Sequence, residues 1–174
     1  SRVSVIDLTN PSFPIIADIP LNSTSFGIAI TPDGTRVYVA NESNSTLTVI
    51  DTASNTIIDT ITGILNANVI TITPDGTKAY VSDFFNRLVY AINLSDNSVI
   101  TNIPTGRLPE GIGITPDGAR AFVANSGDTT VTVIDTANDT VTNTVNVGSN
   151  PNNVYITPDG TRAYVTIGSS AQVI

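Results

Sequence analysis

The 174-residue chain contains no cysteine, histidine, methionine or tryptophan. Without His or Cys it has no Ser-His-Asp or Cys-His nucleophile pair, no usual zinc or copper site, and no His, Met or Cys ligand for haem iron. The absence of cysteine also removes disulfides as a clue to compartment, and a repeat array with a continuous core does not need them. Positive charge is scarce: seven Lys plus Arg stand against 15 acids, giving a net charge of −8 and a pI near 4.1. Such a chain lacks the basic face that nucleic acid or an anionic membrane would need, so no nucleic-acid partner and no membrane insertion are expected. Apolar residues reach 40% but fall in short alternating runs, with no transmembrane helix and no signal-peptide pattern among them. The missing initiator Met reads as the mark of an excerpt or a processed form.

What the chain has instead is repetition. "ITPDGTRVYVAN" at Ile30 returns as "ITPDGTKAYVSD" at Ile72, "ITPDGARAFVAN" at Ile114 and "ITPDGTRAYVTI" at Ile156, each 42 residues after the last. A fixed period of this length denotes a repeat architecture, hence one array and not several domains. A second marker, "VID" at Val5, Val49 and Val133 with "AIN" at Ala91, keeps step except for a two-residue insertion near "NPSFPIIADIPLN". The 26 Thr and 18 Asn give a polar surface of small uncharged side chains, a balance common in secreted and envelope proteins.

Within one unit, "NVITI", "KAYVS", "LVYAIN" and "VITNI" are short, β-rich and separated by turn residues, which predicts an antiparallel meander of four strands, A to D. TPDG is the A–B hairpin: Pro presets φ, Asp can bond its own backbone, and Gly takes the left-handed corner. This assigns Asp33, Gly34, Asp75, Gly76, Asp117, Gly118, Asp159 and Gly160 to turn structure. In "RVYVA" neither face is polar, so both must be covered, and the small residues of strand A suit the narrow end of a wedge. The expected fold is all-β, a β-propeller of ~42-residue four-stranded blades. The units are 1–20 (partial), 21–62, 63–104, 105–146 and 147–174 (partial), about four blades' worth.

The stretch "TPDGTRVYVANESNSTLTVIDTASNTIIDTI" resembles the YVTN family of β-propeller repeats, and the likeness covers essentially the whole chain. It implies a propeller similar to archaeal surface-layer domains and bacterial secreted or envelope proteins, and more distantly to propellers of redox enzymes and lactonases. The family's rings have about seven blades. The chain begins and ends in the same strand, with Ala171 to Ile174 equivalent to Val3 to Ile6, so it reads as an arc of a larger ring. Self-association through exposed blade edges is therefore expected.

In a propeller, the D–A and B–C connections share the face that usually carries ligands. Residues that break the repeat there are the binding candidates: Glu42, Asp83, Phe84, Phe85, Arg87, Arg107, Glu110 and Asp128, with Phe26, Asn66 and Asn68 nearby. Their expected partner is a protein or a glycan. Catalysis by paired carboxylates would have to draw on Glu42, Asp83, Glu110 or Asp128. No cofactor is implied; Asp and Asn oxygens leave calcium open, though no EF-hand or nonapeptide spacing occurs. Sequons at Asn22, Asn41, Asn44, Asn93 and Asn138 would permit N-glycosylation. The sequence reading is a non-enzymatic scaffold, extracellular or on the cell surface, with a propeller part of a lactonase-like or redox enzyme as the alternative.

Overall fold

The computed structural model describes residues 1–168, and the strand expected at Ala171 to Ile174 lies outside them. Sixteen strands make up the described residues. The first half-sheet pairs β1 (Arg2–Ile6) with β2 (Ile15–Pro20). The first complete sheet runs β3 (Ser25–Ile30), β4 (Arg36–Asn41), β5 (Thr46–Asp51) and β6 (Thr56–Thr62). The second runs β7 (Ala67–Ile72), β8 (Lys78–Asp83), β9 (Leu88–Asn93) and β10 (Ser98–Pro104). The third runs β11 (Pro109–Ile114), β12 (Arg120–Asn125), β13 (Thr130–Asp135) and β14 (Thr140–Asn146). A last half-sheet pairs β15 (Pro151–Ile156) with β16 (Ala163–Ile167). All pairings are antiparallel between sequence neighbours, so the fold is a set of propeller blades packed face to face, with β3, β7, β11 and β15 stacked against one another.

The alternation of β4 shows why both its faces are apolar. Tyr38 and Ala40 pack with Ala67, Ile70 and Val81 of the second blade, whereas Val39 packs with Ile19 and Leu21 behind β2. The next junction repeats the pattern, with Tyr80, Val89 and Ala91 against Ile112, Ala121 and Val123. Each fully buried Leu, Ile or Val contributes about 1.5–3 kcal/mol, so apolar packing between blades supplies most of the cohesion.

Polar contacts then fix the blades' alignment. Tyr38 donates its hydroxyl to Asn97 Oδ1 (2.9 Å), and Arg36 Nη1 donates to the carbonyl of Leu94 (3.4 Å). One period on, Tyr80 donates to Asp139 Oδ1 (2.5 Å), and Lys78 Nζ donates to the carbonyl of Thr136 and to Asp139 Oδ2, both at 2.7 Å. In both of these junctions strand B therefore clasps the C–D turn of the blade that follows. A cleft of about 210 Å³, lined by Thr31, Pro32, Arg36, Tyr38, Asp75 and Leu94, lies in the first of these junctions.

The TPDG turns share one geometry. Asp33 Oδ1 accepts from the Thr31 hydroxyl (2.6 Å) and the Thr35 amide (3.0 Å), while Gly34, at φ +72°, donates its amide to the Thr31 carbonyl (2.8 Å). Asp75, Asp117 and Asp159 repeat the pattern with Thr73, Thr115 and Thr157, beside Gly76, Gly118 and Gly160, all at positive φ. A Cβ on Gly76 would lie 3.2 Å from Pro32, on Gly118 3.6 Å from Pro74, and on Gly160 3.4 Å from Pro116, so each turn also leans on the turn before it.

Hydrogen bonds from the Thr hydroxyl, then from the following amide, hold the carboxyls of Asp33, Asp75, Asp117 and Asp159 below the ordinary 3.8. Asp7, Asp51 and Asp96 are lowered in the same way by Thr9, Ser54 and Ser98. A group whose folded pKa is depressed contributes stability that is present above its unfolded pKa and lost as pH falls through the folded value. The urea midpoint is therefore expected to hold between about pH 7 and pH 5 and to fall progressively below about pH 4. A midpoint unchanged in strong acid would contradict this.

Candidate functional site

The loops opposite the TPDG turns form one rim, because each B–C loop bonds to the D–A loops beside it. The amides of Glu42, Phe84 and Ser126 donate to the carbonyls of Thr24, Asn66 and Leu108 at 3.0, 3.4 and 2.9 Å. Those of Ile64, Thr105 and Val147 donate to Ser45, Arg87 and Thr129 at 3.1, 2.9 and 2.9 Å. The sequence candidates all belong to these loops or to the strand ends that carry them.

Asp83 is fully buried at the end of β8. Its Oδ1 accepts from the amides of Phe85 (3.2 Å) and Asn86 (3.0 Å) and from Asn66 Nδ2 (3.2 Å); its Oδ2 accepts from Asn86 Nδ2 (2.9 Å) and the Tyr90 hydroxyl (3.1 Å). The same position in the neighbouring blades holds Asn41 and Asn125, whose amides donate to the hydroxyls of Thr46 and Thr48 and of Thr130 and Thr132. In the second blade those two threonines are Leu88 and Tyr90. A donor replaces two acceptors, and the amide is exchanged for a carboxylate that can accept. Burial, with the Asp83 charge and hydrogen bond adding to it, raises the Tyr90 hydroxyl pKa, so Tyr90 stays protonated as a donor. Asp83 organises the loop from inside and is not available to a ligand. Tyr90 and Asn86, its partners, are the residues that loop-by-loop inspection of the sequence misses; aligning Thr48 with Tyr90 reveals the exchange.

Asp128 and Glu110 are also engaged. Asp128 Oδ2 accepts from the Arg107 amide (2.7 Å), and the Gly127 amide donates to the Arg107 carbonyl (3.0 Å), which knits the two loops together. Glu110 Oε1 accepts from the Ser126 hydroxyl (2.9 Å), and its Oε2 accepts from Asn152 Nδ2 of the next blade.

The remaining candidates are exposed or half-buried. Phe85 is 60% exposed and meets half-buried Phe84 edge to face, with ring centroids 5.0 Å apart. Arg87, at φ +59°, and Arg107 are exposed, and Glu42 is half-buried. No ion pair among the described residues joins any of them, and no three Asp or Glu side chains there converge as a cation site would require. The structure therefore brings the candidates onto one rim but not into one cluster. Of the sequon residues, Asn22, Asn44 and Asn138 are exposed and Asn93 is half-buried. Asn41 is 1% exposed with its amide committed to Thr46 and Thr48, which places its nitrogen out of reach of glycosylation in the folded chain.

A family model for the SMP-30/gluconolactonase/LRE-like region matches residues 41–169 of this propeller. The chain belongs to the SMP-30/gluconolactonase/LRE-like family. No curated protein matches this member of the family. Among solved structures it is similar to hydrazine synthase of Kuenenia stuttgartiensis, at 26% identity and a TM-score of 0.82 over 88% of this chain and 46% of that one. It also resembles a functionally unknown protein of Desulfotomaculum acetoxidans DSM 771, at 23% identity and TM-score 0.87 over 97% and 56% of the two chains. A 6-phosphogluconolactonase candidate from Bacteroides uniformis ATCC 8492 matches at 17% identity and TM-score 0.81 over 95% and 57%. This chain thus spans about half the length of each of these structures.

Proposed function

We propose that the chain is a non-enzymatic propeller scaffold, extracellular or at the cell surface, whose rim of D–A and B–C loops takes a protein or glycan partner. One observation carries the reading: Asp83, Asp128 and Glu110 are tied into the rim's own hydrogen bonds, while Phe85, Arg87 and Arg107 stand in solvent. Bound acids make a rigid platform, and exposed aromatic and Arg side chains are the groups that anchor interfaces. The Thr- and Asn-rich surface and the YVTN-like repeats support the extracellular assignment. Family membership supports a second reading, in which the chain is the propeller part of a lactonase-like hydrolase or a redox enzyme.

Purified chain on an array of immobilised neutral and acidic glycans, beside hydrolysis of sugar-acid lactones, separates the two readings. Retention weakened about tenfold by Phe85→Ala with Arg87→Ala, without lactone turnover, is the expected result. Lactone turnover abolished by Glu42→Gln would replace the scaffold by the hydrolase.

A further inference from the structure

The two junctions between complete blades can be compared position by position, because Arg36 and Lys78, Leu94 and Thr136, and Asn97 and Asp139 are each 42 residues apart. In the second junction the Lys78 ammonium is answered by the Asp139 carboxylate and the Thr136 carbonyl, both at 2.7 Å. In the first, position 97 carries a neutral amide that is spent on other partners: its Oδ1 accepts from the Tyr38 hydroxyl (2.9 Å), and its Nδ2 donates to Asp59 Oδ2 (2.6 Å). A guanidinium has five N–H donors. That of Arg36 makes one hydrogen bond among the described residues, the 3.4 Å contact with the Leu94 carbonyl. No carboxylate of the described residues comes within the 4.0 Å of an ion pair, and Asp33 and Asp51 feel its charge from farther off.

The cleft of about 210 Å³ opens beside this guanidinium, and Asp33 and Asp75 line it too. Pockets that enclose drug-sized molecules measure about 300–1,000 Å³, so this one suits something smaller. Both carboxyls are charged at neutral pH, since the Thr31 and Thr73 hydroxyls, and then the Thr35 and Thr77 amides, hold them below the ordinary 3.8. The Oδ2 of each accepts one hydrogen bond, from the hydroxyl of Thr35 (3.0 Å) and of Thr77 (2.9 Å), and has a lone pair for a further donor. An anion alone would meet these two carboxylates, and a cation alone would meet Arg36. A molecule carrying both charges answers both. Tyr38 and Leu94, the large apolar side chains of the lining, are themselves buried, so the open surface is mostly polar and favours a short side chain.

We propose that this cleft binds a small α-amino acid, with its carboxylate on the Arg36 guanidinium and its ammonium on Asp33 and Asp75. The planar fork of arginine matches a carboxylate with two parallel hydrogen bonds. The ligand carboxylate then does for Arg36 what Asp139 does for Lys78 one junction on. Arg36 and Asp33 belong to the first complete blade and Asp75 to the second, so the ligand spans the junction. The site lies at the TPDG end of the blades, and it stands whichever partner the rim takes.

Titration of the isotope-labelled chain with L-alanine, followed by NMR, is expected to shift the amides of Thr35, Arg36 and Gly76 saturably. Propionate, which lacks the ammonium, and ethylamine, which lacks the carboxylate, should each bind about tenfold more weakly or worse. Arg36→Gln should weaken alanine binding by a similar factor. Asp59→Asn combined with Asn97→Asp keeps a hydrogen-bonded pair at those positions and sets a carboxylate where the second junction has Asp139, so that the chain itself competes for Arg36. Alanine should bind about tenfold more weakly to this variant too, while its spectrum stays that of the folded protein. Absence of a saturable shift, equal binding of propionate or ethylamine to the wild-type chain, or unchanged alanine affinity in either folded variant would each overturn the proposal.

Discussion

Asp139→Ala is expected to destabilise the protein by about 3 kcal/mol, the low end of what removing one partner of a buried ion pair costs. The low end applies because the Lys78 side chain retains 23% exposure, whereas that of Asp139 retains 6%. The substitution strands two donors at once, the Lys78 ammonium and the Tyr80 hydroxyl, whose pKa is driven far above its usual 10.0 by burial and by the Asp139 hydrogen bond. The cost is that of an uncompensated buried charge more than of a lost attraction, so adding Lys78→Met should return a large part of it. The equivalent change one junction earlier, Asn97→Ala, removes a neutral partner of Tyr38 and should cost only about 1 kcal/mol. Urea unfolding of the three variants measures these differences, and equal losses at Asp139 and Asn97 would show that the charge is irrelevant.

Gly27→Ala should be comparably damaging, at about 3 kcal/mol, although it adds one methyl group. A Cβ on Gly27 would stand 2.5 Å from the Asn68 carbonyl oxygen and 2.9 Å from the Ile70 amide nitrogen. Both are backbone atoms of the next inner strand, so no side chain can turn aside and the blades must part. Gly34→Ala provides the contrast. It meets nothing within 4 Å but sits at φ +72°, and should cost only the left-handed penalty of about 1–2 kcal/mol. If Gly34→Ala proved the more harmful, conformational strain and not blade separation would set the stability of the array. Because Gly111 and Gly113 face Asn152, Asn153 and Val154 in the same way, the close approach of inner strands recurs along the stack.

The fold was legible because period, turn chemistry and two-faced strands all agree on it. Ile30 to Asn41 alone contains an inner-strand end, a hairpin and a strand buried on both sides, and the structure places each of them so. The site was less legible, for a physical reason. Departure from a repeat reads as a candidate for binding, but a departure can also be answered internally. Asp83 differs from Asn41 and Asn125, and Tyr90 in place of Thr48 makes that difference structural. Lys78 and Asp139 are 61 residues apart, and their pairing becomes visible only when strand B of one blade is set against the C–D turn of the next. Phe85, whose ring meets Phe84 yet stays 60% exposed, and the exposed Arg87 remain the rim's outward groups. The family was legible at the level of a propeller repeat, and the SMP-30/gluconolactonase/LRE-like match gives it its place.

The approach of three TPDG glycines to the proline of the preceding turn has a consequence for how such a chain can change over time. Gly76 against Pro32, Gly118 against Pro74 and Gly160 against Pro116 link the four copies in series, the two middle ones serving as both key and lock. An alteration in one copy must be accommodated by its neighbour, so the four hairpins drift only in concert, or not at all. At the opposite ends of the same strands the side-chain ties differ from blade to blade, as with Tyr90 on Asp83 in one and Arg107 on Asp128 in the next. A duplicated blade can therefore inherit its hairpins as fixed lettering and rewrite its rim loops one set of partners at a time.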